Sequence, residues 1–143
     1  IATYGPQHNE IQEVKEHYSA LSKTVAMTSN RRELIIVGDF NARHKDLGCF
    51  KQNSTGEKTL GFMKKHGLIN IPAKCTNGQQ YTHTSNKRND AIKKAHAEGK
   101  VLKENWGKTC IDLILVRQSN STKVINATIN RSIPAKSDHA IVG

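Results

Sequence analysis

Three apolar runs in this sequence carry strongly polar residues at one end. Asp39 and Asn41 follow Leu34-Ile35-Ile36-Val37-Gly38, Asp112 lies within Ile111–Val116, and Asp138 with His139 precedes Ala140-Ile141-Val142. A carboxylate beside a buried strand is costly unless it is paired, hydrogen-bonded or bound to a metal. Asp39 and Asn41 are two residues apart, so an extended backbone points both side chains the same way, at one ligand. Asp138 and His139 are adjacent; a strand makes them diverge, whereas a loop can send both into one pocket. Any one of these residues can simply cap or turn the chain, since Asp and Asn favour such positions. Found together at three strand ends, they point to a shared site of carboxylates, an amide and an imidazole.

Such a site needs strands to hold it. Leu34–Val37 is continuous and β-branched, which predicts a strand covered on both faces, and Cys110–Val116 predicts a second. Ile1–Tyr4 reads as a strand end stopped by Gly5-Pro6; Leu68–Ile71, Gln80–Thr84 and Val124–Ile129 read as shorter strands. Ile11, Val14, Tyr18, Leu21 and Val25 recur at offsets of three and four, the stripe of a helix capped near Asn9 and favoured at its start by Glu10, Glu13 and Glu16. Ser54 or Thr55 is expected to cap a second helix to about His66, with Leu60 and Met63 inward and Gly67 as its stop. Residues 86–108 differ in character, with seven basic against three acidic side chains and helical propensity from Asp90 to Leu102. They read as a basic insertion or loop. Strands interleaved with helices make an α+β (α/β-layered) domain.

The chain has 143 residues, 22 Lys and Arg against 12 Asp and Glu, and a net charge of +10. That length suits one domain with a real core, and no run approaches the ~20 apolar residues of a membrane span. Residues 1–72 hold 10 basic and 7 acidic side chains, residues 73–143 hold 12 and 5, so the excess sits in the second half. A polyanion, most commonly nucleic acid, is the partner such a balance implies. Cys49, Cys75 and Cys110 are odd in number and form no CxxC pair, which argues against structural zinc or a disulfide framework and for reduced thiols in an intracellular protein. No basic-then-apolar leader follows Ile1, which reads as a processing product or the cut edge of something longer. His8, His17, His44, His66 and His96 read as surface or capping histidines, and Trp106 as a packing anchor.

Gly38-Asp39-Phe40-Asn41-Ala42, Ile111-Asp112-Leu113-Ile114-Leu115 and Ser137-Asp138-His139 resemble, in order and spacing, the motifs of the endonuclease/exonuclease/phosphatase family. Tyr4-Gly5-Pro6 is similar to that family's earlier Tyr-x-Pro element, and the extended run to Arg43-His44 and Leu47-Gly48 is most similar to the endonuclease domains of jockey-type non-LTR retrotransposons. The resemblance implies a four-layer sandwich of two β-sheets flanked by helices. It implies that Asp39 orients or deprotonates the attacking water, that Asn41 holds it or the phosphate, and that Asp112 fixes His139 against a phosphate oxygen. Asp138 and Asp39 would hold Mg²⁺ or Mn²⁺, Tyr4 would donate to the phosphate, and Arg43, His83, Lys87 and Arg88 would contact DNA. A poised water, neutralised phosphoryl oxygens and help for the leaving oxygen are what phosphodiester hydrolysis needs.

The same resemblance implies that residues 1–143 are the C-terminal portion of such a domain. The family's N-terminal half carries an Asn at its first strand and a Glu that is its principal metal ligand; Glu10, Glu13 and Glu16 stand after Tyr4, in the wrong place for that ligand. The expectation is therefore an endonuclease nicking DNA for target-primed reverse transcription in the nucleus, with a reverse transcriptase on the same parent polypeptide, but cleaving weakly or not at all as this chain. Two other readings stand beside it: a same-fold phosphatase for a small phosphoester, such as an inositol phosphate or a sphingolipid head group, and a non-catalytic basic fragment that binds nucleic acid.

Overall fold

The computed structural model describes residues 1–7, 9–28, 33–71, 81–85, 87–102, 107–124, 127–130, 137 and 139–142. Its centre is a four-stranded sheet in the order β1-β2-β6-β3. β1 (Ala2–Tyr4) runs parallel to β2 (Ile35–Asp39), with Tyr4 opposite Asp39. β2 pairs antiparallel with β6 (Asp112–Arg117), which sets Asp39 opposite Asp112, and β6 pairs antiparallel with β3 (Leu68–Asn70).

Side-chain alternation sorts these strands into two faces. Ile36, Leu68, Leu113 and Leu115 point to one face and pack with Val14, Tyr18, Leu21 and Val25 of α1 (Ile11–Met27) and Phe62 of α2 (Ser54–His66). The other face is covered over Val116 by Ile71 and Ala127, with Ile69, Ile114 and Val124 partly buried beside them. Toward β1 it opens: Ile35 is 53% and Val37 38% exposed. The expectation that β2 is covered on both faces is therefore corrected. Among the described residues helices cover it on one side, and the β-branched run alone does not reveal that.

The two helices lie side by side because polar bonds back the apolar stripe. The Tyr18 hydroxyl meets Thr59 Oγ1 at 2.5 Å and His66 Nε2 meets Ser22 Oγ at 3.1 Å, so α1 and α2 run in the same direction. α1 starts after Glu10, next to Asn9 as expected, though the Glu10 carboxylate accepts from the Gln7 N–H instead of capping its own helix. α2 is capped by Asn53, whose Oδ1 accepts from the Gly56 N–H at 2.8 Å; Ser54 and Thr55 fall inside the first turn. Thr55, Thr59 and Phe62 form its buried stripe, with Leu60 and Met63 only partly buried. Gly67, at φ +59°, ends it in the left-handed conformation that suits glycine.

The shorter elements trim the other strand expectations. β4 (His83–Thr84) pairs with β5 (Lys108–Thr109), and α3 (Lys87–Ala97) fills the connection between them, starting and ending earlier than its propensity suggested. Tyr81 and Thr82 precede the ladder, and Gln80 lies outside the described residues. Cys110 and Ile111 likewise precede β6. Gln118–Lys123 form a 3₁₀ helix that Val124 closes, and among the described residues of the expected Val124–Ile129 strand Ile129 alone is in one, β7 (Ile129–Asn130), which pairs with β8 (Ile141–Val142). Among the described residues no helix is long and apolar enough to cross a membrane.

These two faces give a direct test by urea unfolding. Leu115→Ala, at a fully buried position on the helix side, should cost about 3–5 kcal/mol. Ile35→Thr on the open side should cost no more than about 1 kcal/mol. Equal costs would contradict the one-sided core.

Candidate functional site

The end of β2 is shaped by close backbone approach. Gly38 sits at φ +152°, and a Cβ there would lie 1.8 Å from the Thr3 carbonyl oxygen, so only glycine lets β1 and β2 meet. The Gly5 N–H then donates to the Asp39 carbonyl at 2.6 Å, and the Phe40 N–H to the Ile111 carbonyl at 2.8 Å. These bonds carry the ladder one residue past Asp39 and seat Phe40 in the core.

Asn41 turns the chain at φ +48°, a conformation asparagine tolerates because its short amide can bond locally. Its N–H donates to Asp39 Oδ1 and its Nδ2 to the Gly5 carbonyl, both at 2.8 Å. Asn53 secures the turn from outside: its Nδ2 donates to the Asn41 carbonyl at 2.9 Å, and its Oδ1 accepts from the Arg43 N–H as well as capping α2. The capping half of that role has a sequence signal, an Asn just before a helical run. The hold on Asn41, twelve residues away, has none.

On the neighbouring strand the Asp112 carboxylate oxygens lie 3.0 and 3.1 Å from His139 Nδ1. That contact makes Nδ1 the protonated nitrogen. Thr82, fully buried, is the knot behind it. Its Oγ1 accepts from the Ile111 and Asp112 N–H groups, its own N–H reaches Thr109, and its carbonyl accepts from Ala140. Sequence reasoning gave Thr82 no role, because its partners lie 27 to 58 positions further along the chain. His83 follows it, with its ring 4.8 Å from that of His139 and edge-on to it, and its Nδ1 3.1 Å from Thr109 Oγ1.

Asp39, Asp112 and His139 thus converge, with one potential ligand atom from each all within 4.8 Å of one another. The Asp39 carboxyl is held above its ordinary value chiefly by burial; the Asn41 N–H opposes that, the Asp112 charge reinforces it, and His139 and His83 pull it back. Two carboxylates beside an imidazole can share a cation, poise a water, or hold an anion once the imidazole is protonated.

Of the remaining sequence candidates, Tyr4 stands in register with Asp39 but is 70% exposed, lining a groove of about 390 Å³ with Glu10, Glu13 and His17. Arg43 gives backbone bonds to Asn53, and Lys87 and Arg88 form the first turn of α3, where Arg88 packs over Gly107. Asp138 lies outside the described residues, as do His8, Cys75 and Trp106. His44 is a capping histidine, and a buried one: it caps the 3₁₀ turn Lys45–Leu47, its Nδ1 accepting from the Asp46 N–H, and its Nε2 lies 3.3 Å from Glu57. Cys49 and Cys110 are free, buried thiols, and burial pushes Cys110 up to about 12.

A sheet carrying this cluster at one end, with helices packed on it, is a fold shared with solved nuclease structures. The chain is similar to a 3′-5′ exonuclease from Neisseria meningitidis (TM-score 0.72, 18% identity), covering 99% of this chain and 58% of that one. It is also similar to the endonuclease domain of TRAS1, a telomere-specific non-LTR retrotransposon (TM-score 0.68, 15% identity, 98% and 53% covered). A third similar structure is an AP endonuclease from Archaeoglobus fulgidus (TM-score 0.62, 17% identity, 99% and 58% covered). The chain therefore spans a little over half the length of these structures. No curated protein matches it in sequence. The model of the endonuclease–reverse transcriptase family matches residues 1–143, and the chain belongs to that family.

Two measurements test this geometry. Since the Asp39 carboxyl is raised, folding favours its protonated form; that contribution is complete below the ordinary carboxylate pKa and is lost as pH rises through the raised one. In EDTA, Asp39→Asn should therefore be more stable than wild type at neutral pH, the gap closing as pH falls below about 4. A wild type as stable as the variant at neutral pH would contradict it. Thr82→Val keeps the shape but strands two amides, and should cost about 1–3 kcal/mol in urea unfolding; a neutral change would show that the knot is not needed.

Proposed function

We propose that this protein is a divalent-metal-dependent endonuclease that hydrolyses DNA phosphodiesters and nicks target DNA for a retrotransposon's reverse transcriptase. The observation that carries the reading is the convergence of Asp39, Asp112 and His139 from three segments on one end of the sheet. Asp39, its carboxyl held above its ordinary value by burial and fixed by the Asn41 N–H, would orient and deprotonate the attacking water. Asn41 would hold that water or the scissile phosphate. Asp112 fixes the His139 tautomer, so that Nε2 faces the phosphate and, when protonated, donates to the oxygen where charge develops. His83, beside His139, would be a further phosphate contact, with Arg43, Lys87, Arg88 and Tyr4 around it.

The donor set suits a hard cation better than zinc, being rich in carboxylate and free of thiolate. Asp39 with Asp138 would hold Mg²⁺ or Mn²⁺, because Asp112 is engaged with His139. Such an ion supplies charge neutralisation at the phosphoryl oxygens. Similarity to a retrotransposon endonuclease domain and a net charge of +10 favour DNA over a small phosphoester.

One observation supports a second reading, binding without cleavage. Among the described residues Asp39 and Asp112 are the carboxylates at the cluster, while Glu10 and Glu16 bond to Gln7 and Gln12. Catalysis by this chain is accordingly expected to be weak. Supercoiled plasmid incubated with the protein and Mg²⁺ should be nicked slowly, and EDTA, Asp39→Ala or His139→Ala should each abolish nicking. Salt-sensitive plasmid binding with no nicking would favour the second reading. Turnover of a soluble phosphoester without nicking would overturn both.

A further inference from the structure

The sheet has a second side, and its outer surface is basic. Asp39 and Asp112 lie on the face away from α1 and α2, as the alternation with Ile36, Leu113 and Leu115 requires. Between α1 and α2 runs a groove of about 840 Å³. Lys15 and Lys23 line it from α1, Lys58 and Lys65 from α2. Because Tyr18 meets Thr59 and Ser22 meets His66, Lys15 and Lys58 stand toward one end and Lys23 and Lys65 toward the other. The two ends are about 10–12 Å apart along the helix axes.

Among the described residues nothing neutralises these charges. Among the described residues none of the four lysines forms an ion pair, and the groove's one carboxylate, Glu57, faces His44. Four like charges facing one another repel, an arrangement that a polyanion relieves. The floor is open as well. Gly61 stands inside α2 where a side chain would meet nothing within 4 Å, so packing does not call for glycine there, and glycine weakens a helix.

We propose that this groove holds one strand of a DNA backbone, a segment separate from the one presented to Asp39. Cations repeating along an open channel match repeating phosphates. A protein partner would want apolar anchors, and the aromatic rings at the groove, Tyr18 and Phe62, are buried in the core. The choice of DNA rests on the nuclease reading; the cationic character of the groove does not. Two contacts on opposite sides of the sheet let one molecule hold a long or looped duplex, raising the local concentration of DNA at the cluster.

The test uses the whole chain in EDTA, where cleavage plays no part. Lysine acetylation is mapped with and without a long duplex, and affinity is measured against salt for wild type and Lys58→Glu/Lys65→Glu. The duplex should protect Lys15, Lys23, Lys58 and Lys65, and the double variant should bind roughly tenfold more weakly at low salt, its log–log salt slope flattened by about 2. Unprotected lysines, or a variant with wild-type affinity and slope, would overturn the proposal. So would equal protection by polyglutamate, which would assign the groove to an acidic protein. Loss of plasmid nicking in Mg²⁺ with the footprint intact would count against the nuclease reading alone.

Discussion

The antiparallel register of β2 against β6 is the constraint on which everything else depends. It sets Asp39 opposite Asp112 on the face away from the helices. Side chains alternate, so a slip of β6 by one residue would send Asp112 into the core and turn Leu113 and Leu115 outward. The register is fixed from both ends. Ile36, Leu113 and Leu115 fill the helix side, Gly38 admits β1 at a distance no other residue allows, and Thr82 holds the first amides of β6.

The two faces of the sheet divide the work. Apolar burial against α1 and α2 supplies the stability that lets the opposite face keep two carboxylates close together, one of them raised by burial. The turn at Asn41 and the knot at Thr82 are built from hydrogen bonds rather than packing, so they aim side chains without filling the space in front of them. Membership of the endonuclease–reverse transcriptase family fits this arrangement, in which a stable layer carries a polar end.

Much of this was legible in the sequence, and for physical reasons. The stripe Ile11–Val25, the stop at Gly67 and the apolar runs of β2 and β6 are local signals, and each produced the element it predicted. The convergence of Asp39, Asp112 and His139 was legible because buried strands seldom carry carboxylates without a partner. What stayed hidden was non-local. Continuous β-branching in Leu34–Val37 could not tell one covered face from two, since the difference lies in what packs against Ile35 and Val37. Asn53 and Thr82 look like an ordinary cap and an ordinary strand residue until their distant partners are known. The capping error at Ser54 and Thr55 was a shift of one or two residues, where several polar residues compete for one position.

The central claim is that β6 and the His139 segment meet, with Asp112 accepting from His139 Nδ1. The tautomer of His139, read by nitrogen NMR of the metal-free protein at a pH where the ring is neutral, tests it most directly. The account predicts a proton on Nδ1 in wild type, and loss of that preference in Asp112→Ala. An Nε2-protonated ring in wild type, unchanged by removal of Asp112, would contradict it.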